Sequence, residues 1–193
     1  MLRRLGALAV AAVFLTACSA AEPVLYRADY PQYASADELF DKANLVVEAR
    51  IVGEPRYLQE VEAAPDPAET DPALNPNAGA PAALAAQPEA PPTVITVYTA
   101  QVVQVFKGAA QVGQSIEVKE LGGEFEGVTY AEEHTTAMDE GTGYVLFLEA
   151  YPDSPAALLN PVQAKYPLDA SSNPEPLPEN PLKVTRSELE TMS

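Results

Sequence analysis

A single thiol, a single imidazole set among acids, and nine tyrosines are the side chains from which this sequence could build a chemistry. Cys18 has no partner for a disulfide within the chain, and a thiolate zinc site needs several cysteines at regular spacing. Its thiol is therefore idle, reactive or modified. His134, in "AEEHTT", has Glu132 and Glu133 beside it, which is the material of a metal ligand or general base. No nucleophile motif stands near it, zinc sites recruit several His or Cys, and an exposed loop histidine is the plainer reading. Asp139 and Glu140, with Glu132 and Glu133, offer hard oxygens to calcium but lack the alternation and glycine placement of a calcium loop. No metal site is expected. "EGTGY" precedes an apolar strand-like run and lacks a following Lys-Ser or Lys-Thr, so it reads as a hairpin turn and not a phosphate loop. With 28 acids in the chain, chance carboxylate pairs are plentiful and none argues for glycoside hydrolysis. Tyr98, Tyr130 and Tyr144 are candidates for a ligand groove, with Tyr151 and Tyr166 as further members. The alternative is that such rings complete a barrel core with hydroxyls at its rim.

The surroundings of Cys18 narrow its options. Arg3 and Arg4 precede an uncharged apolar run from Leu5 to Ala17. This has the shape of a secretory signal, and it is too short for the ~18–20 apolar residues of a permanent membrane span. Leu15-Thr16-Ala17-Cys18 resembles the lipobox of bacterial lipoproteins. The resemblance implies cleavage between Ala17 and Cys18 and a diacylglyceryl group on the Cys18 sulfur. Small side chains at Thr16 and Ala17 suit an extended backbone in a protease site, and a thiol is the better nucleophile for a thioether. The expected partner is thus a membrane, reached through a lipid anchor on the extracytoplasmic face of the cell.

No acid precedes Cys18, so the chain from there on keeps all 28 Asp and Glu against nine Lys and Arg, a formal charge of −19. Such a surface repels phosphate, and nucleic acid is excluded as a partner. It offers nothing to anionic headgroups either, so membrane residence has to come from acyl chains. With no Trp, five Phe and 19 Pro, the chain cannot be packed core throughout.

The elements that must position these residues occupy limited zones. Residues 1–17 form the signal helix and 18–34 a tether. Ser35 with Glu38 has capping-box spacing, predicting one short helix over 36–43 that buries Leu39, Phe40 and Ala43. In "NLVVEARIVG" Leu45, Val47, Ala49 and Ile51 share one face, and Val46, Glu48, Arg50 and Val52 the other, predicting a half-buried strand. From residue 61 to 92 the chain holds 11 Ala, eight Pro and five acids with no Lys, Arg or aromatic residue, and it cannot bury enough to order itself. "TVITVYTAQVVQVFKG" is β-branched but switches face near Val102, predicting a bulge. "SIEVKEL" turns Ile116 and Val118 inward, "VTYA" is a short strand, Tyr144 to Tyr151 the most apolar strand, and "ALLNPVQAKYPLD" a last one broken at Asn160-Pro161. Residues 169–193 read as a Pro-rich tail with a marginal helix from Ser187. The fold class is mainly β: a small antiparallel barrel of five or six strands over 35–168 with one short N-terminal helix and disordered arms.

The order "ANLVVEARIVG", "TVYTAQVVQVFKG", "IEVKELGGEFEGVTY" and "GTGYVLFLEAY" resembles incompletely characterised secreted bacterial barrels of the oligonucleotide/oligosaccharide-binding type. These are akin to netrin and tissue-inhibitor-of-metalloproteinase domains. The similarity spans about Asn44 to Leu168, and its motifs (Lys107-Gly108, Leu121-Gly122-Gly123, Gly143 to Leu148) speak to fold. The inhibitor relatives present a free first cysteine to a zinc ion; the resemblance makes Cys18 the equivalent residue, and here its sulfur would be blocked. The chain is accordingly expected to bind or scaffold without catalysis and without a cofactor, its partner an envelope protein or a saccharide. A small-ligand or saccharide module using the tyrosine face is the first alternative, and a hydrolase with an unrecognised site around His134 the second.

Overall fold

The computed structural model describes residues 22–60 and 92–193. In chain order these form β1 (Val24–Tyr26), α1 (Ala36–Lys42), β2 (Leu45–Ile51), β3 (Arg56–Glu60), β4 (Thr93–Lys107), β5 (Ser115–Leu121), β6 (Gly123–Phe125), β7 (Val128–Glu132), β8 (Gly143–Glu149), β9 (Ala156–Leu158), β10 (Lys165–Pro167) and α2 (Arg186–Met192). The signal segment, the lipobox and residues 61–91 of the Ala/Pro-rich insertion lie outside the described residues.

The inward alternation read from "NLVVEARIVG" organises the whole domain. Leu45, Val47, Ala49 and Ile51 enter one core with Ala100, Val102, Val118, Leu146 and Leu148. Around that core β2 pairs with β4, β4 with β5, β5 with β9, β9 with β8 and β8 with β2, which closes a five-stranded barrel. Numbered along the chain, the barrel strands follow the order 1-2-3-5-4 and return to 1, the path of the oligonucleotide/oligosaccharide-binding type. The pairings are antiparallel except β5 with β9. Strand β4 supplies two extra residues against β2, Val103 and Phe106; these bulges bend a 15-residue strand around the barrel. A separate three-stranded sheet, β1-β7-β6, lies beside the barrel.

The outer face of β2 departs from the half-buried expectation. Val46, Val145 and Phe147 point away from the barrel axis into a second core with Leu39, Phe40, Tyr166, Leu182, Val184 and Leu189. Helix α1 forms as its capping residues predict, with Ser35 Oγ accepting the Glu38 N–H at 3.2 Å. Lys107 then donates to the carbonyls of Phe40 and Asp41 at the helix end, at 2.8 and 3.0 Å, where a cation is favoured. Beside it a Cβ on Gly108 would meet Asn44 O at 2.5 Å, at a φ of +97°. The Lys-Gly pair thus joins strand end to helix end.

Both arms belong to the fold over their described residues: 22–34 pack on the domain, and the helix expected from Ser187 forms as α2, in a tail otherwise read as disordered. Strand β1 pairs in parallel with β7, and Tyr26 stacks on Tyr130 with ring centroids 5.7 Å apart. The Gln163 side chain binds the Tyr33 backbone on both sides, at 2.9 and 3.0 Å. At the other end Thr185 and Glu188 make a reciprocal capping box for α2. Leu189 is fully buried, and Arg186 reaches back to Glu48 at 2.5 Å and Gln104 at 2.7 Å. Covering the outer core offsets the cost of ordering a proline-rich segment.

The Ala/Pro-rich stretch leaves from β3 and returns at β4, whose Glu60 and Thr93 are cross-strand partners. Its two ends are therefore already adjacent. Deleting residues 63–90 is expected to leave the thermal unfolding midpoint almost unchanged, because each doubling of loop length costs only ~0.6 kcal/mol of closure entropy. Calorimetry of the deletion variant checks this, and a large loss of stability would show that the segment packs on the domain.

Candidate functional site

Inward alternation along β5 does not stop at Val118. Two residues on, Glu120 takes the next inward position and is buried. A carboxylate there requires a counter-charge, and Lys165 of β10 supplies it from Nζ to Oε1 at 2.5 Å, with side chains only 1% and 3% exposed. Lys165 also donates to the Thr136 carbonyl. The pair thereby ties β5, β10 and the loop 133–142 together. Two further ties hold that loop: the Met138 N–H to the Tyr98 hydroxyl at 3.3 Å, and the Asp139 N–H to the Tyr144 hydroxyl at 3.0 Å.

Burial dominates the electrostatics. It pushes the Glu120 carboxyl above its ordinary value, opposed by Lys165. Burial and then the Glu120 charge raise Tyr98. Tyr30 is pushed up to about 12 by burial and by Glu132 and Glu120. Because the folded Glu120 holds its proton to higher pH than the unfolded one, its contribution to stability is present below the ordinary carboxyl value of 4.5 and is lost as pH rises through the raised one. The melting temperature of the wild type relative to Glu120→Gln is expected to fall as pH goes from about 4 to about 8. A constant difference would mean that Lys165 cancels the burial cost entirely.

Glu120 lines two hollows. One, of about 230 Å³, runs between β4–β5 and β6–β7, with Tyr57, Thr96, Tyr98, Tyr130 and Glu132 on its walls. The other, of about 200 Å³, is walled mainly by Tyr30, Ile95, Leu121, Leu158 and Pro161. A larger hollow of about 510 Å³ between the loops after β4 and β8 has none of the buried polar residues on its wall.

The candidate residues from the sequence separate in space. Tyr98 and Tyr130 share the 230 Å³ cleft. Tyr144 does not line it; its side chain is in the barrel core and its hydroxyl holds the Asp139 N–H. Tyr166 is buried in the outer core, its pKa raised by burial to about 12, and Tyr151 lies at the 510 Å³ hollow. His134 is more than half exposed, with Nδ1 3.2 Å from Glu179 Oε2. Its neighbour Thr135 turns its hydroxyl to Glu132 instead, at 2.7 Å. Glu140 accepts the Gly53 N–H at 3.1 Å. Among the described residues no three His, Cys, Asp or Glu side chains stand close enough to hold a metal ion. Leu15, Thr16, Ala17 and Cys18 lie outside the described residues.

Sequence reasoning missed Glu120, Lys165 and Tyr57. For Glu120 a signal existed, since it continues the inward parity of Ile116 and Val118. Tyr57 sits in "RYLQE", an edge strand with all five side chains exposed and hence no apolar alternation to mark it.

No protein-family model matches this chain, and no curated protein matches it. Among the described residues no helix is long and apolar enough to cross a membrane.

Proposed function

We propose that the protein is a bacterial lipoprotein anchored through Cys18 to the extracytoplasmic face of the cell membrane, with a barrel that binds or scaffolds and does not catalyse. The observation that carries this reading is the lone thiol at the end of the uncharged run Leu5–Ala17, in the lipobox sequence Leu15-Thr16-Ala17-Cys18. The buried hydroxyls of Tyr98 and Tyr144 accept backbone N–H groups of the 133–142 loop, and the Lys165 ammonium holds Thr136 there. A hydrolase built on His134 has less support, because that imidazole faces Glu179 and its adjacent hydroxyl faces Glu132. At a formal −19 from Cys18 on, the chain is not offered to nucleic acid.

The cleft shared by Tyr98 and Tyr130 favours a second reading, a small-ligand or saccharide-binding module. Cross-linking of intact cells followed by recovery of the lipoprotein tests the first. A defined envelope protein, cross-linked at barrel residues, is the expected result. Turnover of a generic ester or peptide substrate that depends on His134 would count against it.

A further inference from the structure

Strand β3 is paired on one side, with β4, and among the described residues no other strand pairs with it. Parity decides which of its main-chain groups are left over. On β4 the Val94 carbonyl accepts the Gly122 N–H and the Val102 N–H donates to Gln114, so even-numbered residues turn their main chain toward β5. Odd-numbered ones turn the other way, as in the bond from the Val52 N–H to the Thr99 carbonyl. The register sets Arg56 against Val97, Leu58 against Ile95 and Glu60 against Thr93. These three β3 residues therefore bond β4, and the N–H and C=O groups of Tyr57 and Gln59 point outward from the edge. Such an edge accepts a further strand unless like charge, proline or a cover blunts it. Here all five side chains are exposed, Tyr57 and Leu58 by 42% and 40%. Pro55 ends the run of donors on one side only. The charges do not blunt the edge either, because Arg56 opens the strand and Glu60 closes it, and an antiparallel copy sets each against the other.

We propose that β3 pairs with β3 of a second copy of this chain, antiparallel about a two-fold axis at Leu58. Tyr57 and the partner's Gln59 then exchange main-chain hydrogen bonds on either side of the axis, and Leu58 packs on the partner's Leu58. Charge selects a second copy as the occupant. Arg56, Leu58 and Glu60 share one face, where Arg56 holds Glu117 and Lys119 holds Glu60, each at 2.5 Å. Pairing joins these into an alternating row of Lys119, Glu60, the partner's Arg56 and the partner's Glu117, which sums to zero and is repeated by symmetry. The described residues carry 23 acids against nine Lys and Arg, so two copies repel except where the contact supplies its own cations. The register is self-selecting. An axis at Tyr57 would set Glu60 against Glu54, and one at Gln59 would set Leu58 against Glu60. Tyr57 and Gln59 lie on the other face, where Tyr57 lines the 230 Å³ cleft. The partner's Gln59 stands beside Tyr57 at its lip, and the two clefts open on the same side of one continuous sheet. Such a dimer is independent of the anchor and of the envelope partner proposed above.

The test uses the full chain. Leu58→Cys, oxidised in membranes of the cells that produce it, is expected to give a dimer whose bridge joins the two position-58 thiols, as located by peptide mass. Facing residues of a non-hydrogen-bonded antiparallel pair lie within disulfide reach. Val112→Cys, at a side chain 71% exposed on the turn after β4, is the control for chance collision and is expected to stay unlinked. Sedimentation of the wild type in a density-matched zwitterionic detergent is expected to show a concentration-dependent dimer. Leu58→Lys brings two like charges together on the axis and is expected to raise its dissociation constant about tenfold or more. Because that side chain is exposed in the single copy, the melting temperature at a concentration where both proteins are monomeric should not change. Equal linking at positions 58 and 112, a wild type that sediments as a monomer at every concentration, or an undiminished dimer in Leu58→Lys would overturn the proposal.

Discussion

Replacing Lys165 by Met is expected to lower the stability of the domain by about 3–5 kcal/mol, because it removes the one cation beside a carboxylate that cannot reach water. For a domain of this size that corresponds to a fall in melting temperature on the order of 10 °C. Met keeps the length and apolar stem of the lysine, so the volume change is small and the loss reports on charge. The control is the double variant Lys165→Met with Glu120→Leu. A buried ion pair replaced as a whole by apolar residues is often neutral or better, since both desolvation penalties go with it. The double variant should therefore recover most of what the single one loses. A single variant as stable as the wild type would show that Glu120 takes up a proton at negligible cost. A double variant as damaged as the single would assign the loss to packing or to the severed Thr136 contact.

That pair also shows why the site was harder to read than the barrel. Apolar alternation is written at many positions at once, so Leu45, Val47, Ala49 and Ile51 define an inward face even if one of them is misjudged. The bulged β4 and the capped α1 were legible for the same reason: each rests on several residues agreeing. Glu120 and Lys165 are single charged residues whose usual place is the surface, and only their coincidence in three dimensions makes their burial tolerable. The outer core was hidden differently. Leu182, Val184 and Leu189 are scattered through a proline-rich tail without a sustained period, yet they cover Val46 and Phe147, whose own burial on the second face of the sheet requires a cover. The near-continuous apolar run in "GYVLFLEA" was the available hint, since a strand buried on one face only would alternate.

Cys18→Ala is expected to move the protein from the membrane fraction to the soluble one, or to leave it there only as an uncut precursor, and intact mass separates these outcomes. The wild type should carry a diacylglyceryl mass on a chain beginning at Cys18. Each buried methylene contributes about 0.8 kcal/mol, and a single acyl chain holds a protein only marginally, whereas two anchor it stably. The domain offers no substitute, because 23 acids against nine Lys and Arg in residues 22–60 and 92–193, a formal −14, draw nothing from anionic headgroups. The described fold adds a geometric consequence to the proposed anchor. Strand β1 begins at Val24 and is paired with β7, so only six peptide steps, at most ~20 Å of chain, separate it from Cys18. A barrel tied that closely presents its β1 edge to the bilayer, with the exposed Leu25 and Arg27 nearest. A fluorophore at position 25 of the lipidated protein in vesicles should accordingly be quenched by a headgroup-attached quencher, and one on exposed Val112 less so. Equal quenching at both would mean that β1 detaches and the domain swings on a longer tether. Membrane retention of Cys18→Ala as a processed, lipid-free chain would remove the anchor itself.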